Sequence, residues 1–428
     1  MDIKLAFGKT GLDVSLDDAL VSAVFRKKQM PRVADEKAAM AEAMANPRGC
    51  PPLREIAAGK KTACIVINDI TRPVPNKLIL PFIIEELRAA GLADADICLL
   101  NATGTHRPAD KAEQAELVGE DILARHPFHN HDCHNDGEHR YLGAACAGTE
   151  VWIDTRYLDA DVKILTGLIE PHFMAGYSGG RKVICPGIAS IRSVSRIHHP
   201  VFMEAKRASN CVLDDNPLHR ELIEISRMAG CDFIVNVVID EDRKLCGAFC
   251  GDIEAAHRAG ASFASQYDRV DARERYDVVV TSSAGYPLDK TFYQAVKGIC
   301  GVTGILAPGG TIIIAAECSE GMGNDSFVEG LRLRSRFDNH AEYVKLIEKP
   351  ENFAPDQWQV EKLSQALDAA RVKMYSPNLS EKDFSLTFTE RIDSIESGIE
   401  LCLQKLGPAA KIAIVPEGPY VIPFLKGA

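Results

Sequence analysis

The chain has 428 residues, 46% hydrophobic and 25% charged, which excludes a disordered, collagen-like or coiled-coil protein and is too long for one compact core. Forty-nine basic side chains against sixty acidic ones leave a formal charge of −11, and a surface that acidic repels phosphate backbones, so no nucleic-acid partner is expected. The opening MDIKLAFGKTGLDV has no basic stretch followed by an apolar run, no segment reaches the ~18 apolar residues of a membrane span, and thirteen cysteines without a framework spacing read as reduced thiols. The expected compartment is the cytoplasm, with no membrane partner.

In chain order, TACIVIND (62–69) reads as a buried strand and PNKLILPFIIEELRAAG (75–91) as a helix that stops at glycine. DICLLNATGTH (96–106) is strand-like and ends in a Gly/Thr turn, and DVKILTGLI (161–169) is strand-like again. The helical NPLHRELIEISRMAG (216–230), the strand CDFIVNVVID (231–240) and the helical IEAAHRAGASFASQYD (253–268) follow. Alternation of this kind predicts parallel βαβ units with helices on both faces. The charged DARERYD (271–277) precedes a new strand at 277–285, and the pattern then repeats: a helix near 291–300, the strand TIIIAAE (311–317) and a helix near 356–371.

The expected fold class is α/β in two domains, each a mostly parallel sheet flanked by helices, with the active site in the cleft between them. The expected division is an N-terminal domain over 1–270, a C-terminal domain over 276–395, and a segment 396–428. The strand KIAIVPEG (411–418) in that last segment either completes the second domain or crosses back to the first.

Open α/β sheets place their chemistry beyond the C-terminal ends of strands. Three polar turns stand at such ends: Asn68 to Arg72, Thr103 to Arg107, and Glu170 to His172. The segment PHFMAGYSGGRKVICPG (171–187) adds Gly176, Gly179 and Gly180, which free the backbone for tight turns and close approach to an anion. It is no Walker A loop, because Lys182 is followed by Val183. It reads either as a Gly-rich connection with a surface lysine or as a covalent anchor. IHHP (197–200) by itself reads as a helix end. HPFHNHDCHNDGEH (126–139) holds five of the twelve histidines. Its irregular spacing reads as a solvated polar loop rather than a closed zinc site.

The set DITR (69–72), NATGTH (101–106), PHFMAGYSGGRK (171–182), IHHP (197–200) and YQAVKG (293–298) resembles the lactate racemase family, over most of the chain from about residue 60 to Trp358. The resemblance implies a nickel-pincer nucleotide, a doubly thiolated pyridinium mononucleotide holding nickel in a sulfur–carbon–sulfur clamp. It implies His106 and His172 as the acid/base pair, and Lys182 as the lysine joined covalently to the cofactor. His198 would be the nickel ligand, with His199 the adjacent and less favoured choice. Asp69, Ile70, Thr71 and Arg72 would contact the cofactor, Gln294 and Lys297 with Arg72 would bind substrate, and Trp358 resembles an aromatic near the site. The implied partners are a small 2-hydroxy acid and the host enzymes that mature the cofactor.

The chemistry suits these residues. Inverting C2 of a 2-hydroxy acid by proton removal would build a carbanion beside a carboxylate. Moving the hydrogen as hydride, while a base takes the hydroxyl proton, gives a flat 2-keto acid that can be reduced from either face. Two histidines supply base and acid near neutral pH. No side chain accepts hydride, so a cofactor is needed, and the chain has no G-x-G-x-x-G for a dinucleotide. The competing readings are a zinc-dependent hydrolase or lyase built on 126–139, and a non-catalytic small-molecule binding protein of the same fold. The second has no need of paired acid/base groups. Lactate, malate, an aromatic hydroxy acid and a sugar acid all fit the implied core.

Overall fold

The computed structural model describes residues 1–426. It divides into two compact units, the first formed by Gln29–His198 and Lys206–Ser265, the second by Met1–Lys28, His199–Ala205 and the chain from Gln266 onward.

The first unit is built on a six-stranded sheet in the order Leu245–Gly251, Phe233–Ile239, Val162–Leu168, Ala63–Asn68, Ile97–Ala102, Phe128–Asn130. Every pairing is parallel except the edge hairpin between the first two strands. The strand Ala63–Asn68 is buried along all but its last residue, as a strand covered on both faces must be. The helix Asn76–Ala89 buries Ile79, Leu80, Ile83, Ile84 and Leu87, one stripe at helical spacing. Pro217–Ala229 opens with a proline at its first position under an Asn216 cap and stops at Gly230, burying Leu218, Leu222 and Ile225.

The second unit carries an all-parallel sheet in the order Glu390–Arg391, Arg371–Tyr375, Leu306–Ala315, Tyr276–Ser282, Ile412–Val415, Val21–Val24. Strand alternation sorts its side chains into two cores. Val279, Ile312, Ile314, Ala413 and Val415 join one cluster; Val278, Val280, Ile313, Ile412 and Ile414 join the other.

The linear division expected from sequence differs from this arrangement at residues 1–28 and at His199–Ala205, and the choice left open for the C-terminal segment is decided. Residues 1–28 belong to the second unit because Val21–Val24 pairs with Ile412–Val415. The C-terminal segment completes the second unit rather than crossing back: Ile412–Val415 lies inside its sheet, and Ile422–Leu425 pairs with Arg269–Ala272, which overlaps the start of the charged stretch 271–277. The stretch His199–Ala205 also belongs to the second unit. A strand whose partner sits at the other end of the chain leaves no local pattern to read. No helix among the described residues is long and apolar enough to cross a membrane.

Candidate active site

Three adjacent parallel strands of the first unit, Val162–Leu168, Ala63–Asn68 and Ile97–Ala102, run in one direction and end at one edge of the sheet. The turns carrying His172, Asp69 and His106 follow them directly. His106 Nδ1 lies 2.8 Å from Asp69 Oδ2. The His106 side chain is half exposed while Asp69 is 7% exposed, so the carboxylate sits beneath the ring. Thr71 Oγ1 donates to the same carboxylate at 2.9 Å, and the Arg72 amide donates to the Asp69 carbonyl at 3.0 Å. Burial pushes the Asp69 carboxyl up, but the His106 bond and charge, with Arg72 and Thr71, outweigh it and hold the group below the usual carboxylate range. Ile70 packs against the apolar core of this unit.

The third turn continues into a small hairpin, Pro171–His172 against Gly176–Tyr177. His172 Nδ1 accepts the amides of Met174 at 3.4 Å and Ala175 at 3.3 Å. Glycine is required next: Gly179 has φ +79°, and a Cβ there would stand 2.6 Å from Asn236 Oδ1. That amide oxygen accepts the Gly180 N–H at 3.1 Å, and the chain turns into the short helix Arg181–Ile184 that carries half-buried Lys182. The second strand-end turn is tied to the same region by the Gly104 amide, which donates to the Gly187 carbonyl at 3.0 Å.

The helix Ile191–Ile197, capped by Ser190, delivers His198. His198 is buried, and its Nδ1 donates to the Val194 carbonyl at 2.8 Å. Burial, aided by the Lys182 charge and opposed by that bond, pushes the ring down to about 3. The residue is therefore a neutral imidazole with its lone pair on Nε2, the form in which histidine binds a metal. A single imidazole does not hold nickel by itself, so the metal would have to bring further donors, as a pincer cofactor does. His199 is committed elsewhere: Nδ1 accepts the Val201 amide at 3.1 Å and Nε2 donates to the Glu348 carbonyl at 2.7 Å.

Gln294 and Lys297 stand in the second unit, three residues apart and so on one face of the helix Phe292–Gly301, both half-buried. The Gln294 side-chain oxygen is buried without a hydrogen-bond partner. Trp358, on Gln357–Ala369, is buried and stacks on Phe353 with centroids 6.5 Å apart. The structure thus gathers Asp69, Thr71, Arg72 and His106 at one turn, His172, Lys182 and His198 around the Gly-rich segment of the same unit, and Gln294, Lys297 and Trp358 on two helices of the other.

The histidine-rich stretch is not the solvated loop expected. His126, His131 and His139 are buried. His126 Nδ1 reaches the Asp94 carbonyl at 3.0 Å, His131 lies between Asp154 Oδ2 (3.2 Å) and the Ala189 carbonyl (3.1 Å), and His139 Nδ1 reaches the Asn135 carbonyl at 2.8 Å. Burial pushes the Cys133 thiol up to about 11, away from the thiolate a metal needs. Among the described residues no group of three or more His, Cys, Asp or Glu side chains could hold a metal ion.

Sequence reasoning missed the support beneath the Gly-rich turn. Arg181 is fully buried, donating to the Ala175 carbonyl at 2.7 Å and the Tyr177 carbonyl at 3.1 Å, with His257 Nε2 2.7 Å from its guanidinium. Burial lowers its guanidinium to about 9, which leaves it charged near neutrality. In sequence an arginine beside a lysine reads as surface charge. The glycines before it, which bring the backbone close, were the available signal.

Residues 7–210 match the lactate racemase N-terminal domain and residues 271–423 the lactate racemase C-terminal domain. The chain belongs to the lactate racemase family. The lactate racemases of Thermoanaerobacterium thermosaccharolyticum and Lactiplantibacillus plantarum are each 33% identical to it, over 98% of this chain and 99% of theirs. The structure of the lactate racemase apoprotein from T. thermosaccharolyticum superposes with a TM-score of 0.91 at 32% identity, covering 99% of this chain and all of that one. A Thermotoga maritima protein, 20% identical with a TM-score of 0.68 over 93% of this chain, shares the fold.

Proposed function

We propose that this member of the lactate racemase family, an isomerase, inverts C2 of a lactate-like 2-hydroxy acid through a 2-keto acid. The observation that carries the reading is the Asp69–His106 pair, 2.8 Å apart, at the end of a strand flanked by the one that leads to His172. A base held by a carboxylate and a second imidazole at neighbouring strand ends suit proton traffic at a hydroxyl that changes face.

The residues fit a nickel-pincer nucleotide: Lys182 would hold it covalently, His198 would be the protein ligand to nickel, and the turn Asp69 to Arg72 would contact it. When bound, this group supplies the hydride acceptor that no side chain can be. The remaining work falls to the chain itself. His106 and His172 take and return the hydroxyl proton. Arg72, Gln294 and Lys297 hold the carboxylate while the keto group swings, the cations by charge and the glutamine by its amide. Host enzymes would mature the cofactor.

The test is to produce the chain with and without such enzymes, then measure intact mass, nickel content and interconversion of lactate enantiomers. An adduct mapped to Lys182 with racemisation is expected. Substrate deuterated at C2 should keep its label; extensive loss of label to water, or activity without an adduct, refutes the reading.

A further inference from the structure

The two strand-end histidines differ in what their Nδ1 atoms face. His106 Nδ1 faces a carboxylate at 2.8 Å, which offers only lone pairs, so Nδ1 carries the hydrogen and Nε2 of the neutral ring is bare. His172 Nδ1 accepts two backbone N–H groups, from Met174 at 3.4 Å and Ala175 at 3.3 Å, so Nδ1 is bare and the neutral ring carries its hydrogen on Nε2. We propose that Asp69 and the 174–175 amides hold the two neutral rings in opposite tautomers, so that the resting site is handed: His106 offers a hydrogen-bond acceptor, His172 a hydrogen-bond donor, and Asp69 is the positioning residue. This rests on reading both histidines as the acid/base pair, and concerns only where protons sit.

Each partner is itself fixed. Asp69 is buried and held by Thr71. The 174–175 amides sit in the turn of the Pro171–His172 hairpin, whose Ala175 carbonyl is held by buried Arg181 at 2.7 Å.

The consequence follows from proton positions alone. An enantiomer whose hydroxyl faces His106 meets a lone pair, passes its O–H proton to Nε2, and leaves an imidazolium beside the Asp69 carboxylate. One whose hydroxyl faces His172 meets an N–H. Before that ring can accept a proton its own hydrogen must move to Nδ1, giving up both backbone bonds. Enantiomers in water have equal free energy, so kcat/KM is the same in both directions. The difference between the two faces is therefore read from where the ring protons sit rather than from kcat/KM.

The direct test needs no cofactor. The full-length chain, labelled with nitrogen-15 only in histidine, is examined by long-range proton–nitrogen correlation, which separates the two tautomers. His106→Gln and His172→Gln assign the rings by loss of signal. The expected result is Nδ1–H for His106 and Nε2–H for His172. Asp69→Asn should move the His106 signals, whose Nδ1 faces that carboxylate, and this also assigns that ring should a Gln variant not fold. The same tautomer in both rings overturns the proposal even if the protein racemises lactate. Opposite tautomers in a loaded enzyme that turns over no hydroxy acid would leave the tautomer pair standing and refute the racemase reading instead.

Discussion

Acid should loosen the first unit through the bases buried under the Gly-rich turn. His219 is 2% exposed and stacks on fully buried His257 with ring centroids 6.4 Å apart. Burial, with the charges of Arg181 and Arg258, pushes His219 down to about 3, and burial pushes His257 well below its ordinary value. Above about pH 6.5 His219 is neutral in both folded and unfolded chains and contributes nothing to pH dependence. Below that, the unfolded chain takes a proton the folded one refuses, so stability falls by ~1.4 kcal/mol per pH unit until the folded ring titrates near 3. At about pH 5 the loss from His219 alone is roughly 2 kcal/mol, with His257 acting in the same direction. The two tryptophans permit a local measurement, since Trp152 lies in the first unit and Trp358 in the second. In a Trp358→Phe background, urea unfolding followed by Trp152 fluorescence is compared at about pH 7 and about pH 5, with and without His219→Met. The variant should lose roughly 2 kcal/mol less between the two conditions. An equal loss in both proteins would show that His219 titrates normally, and would refute the argument.

Three further outcomes are expected. His106→Ala and His172→Ala should each lower racemisation of the loaded enzyme by roughly 10²–10⁴, the ordinary worth of general acid–base catalysis, in a chiral product assay. His198→Ala should lose bound nickel, measured by elemental analysis, while His199→Ala keeps it, because the His199 nitrogens already serve Val201 and Glu348. Gly179→Ala should lower the unfolding temperature and the yield of adduct on Lys182, since its Cβ would meet Asn236 Oδ1 at 2.6 Å from a backbone at φ +79°.

Much of the fold was legible because its signals are local. The strands Ala63–Asn68, Ile97–Ala102 and Val162–Leu168 are short apolar runs bounded by polar turns, and Asn76–Ala89 shows its periodicity plainly. The strand-end rule then placed Asp69, His106 and His172 on one sheet edge without any coordinate. Long-range pairing was not legible: Val21–Val24 finds Ile412–Val415 only through the folded sheet, so a single boundary near 270 misses the crossing over of the chain. Burial of polar groups was hidden for a related reason. His131 looks solvated in a run of Asn, Asp and His until Asp154 and Ala189 arrive from distant segments. Arg181 gives no sign that two carbonyls and a histidine wait beneath it.

Four histidines, His106, His172, His198 and His199, have one side chain and four different surroundings, and the neighbour of Nδ1 sorts them. A carboxylate at Nδ1 gives His106 a bare Nε2 and a paired charge once it is protonated. Backbone N–H groups at Nδ1 give His172 a donor at Nε2. A backbone carbonyl at Nδ1, in a dry setting that forbids the cation, gives His198 a neutral lone pair of the kind a soft metal binds. His199, one residue on, spends Nδ1 capping a helix and Nε2 on a carbonyl, so neither nitrogen is left for a metal. Residue type alone does not distinguish His198 from His199, whereas the partners of their ring nitrogens differ. The same logic makes the partners as informative to mutate as the rings: Asp69→Asn should alter His106, whose Nδ1 faces that carboxylate, more than His172 and His198, whose Nδ1 atoms face backbone groups.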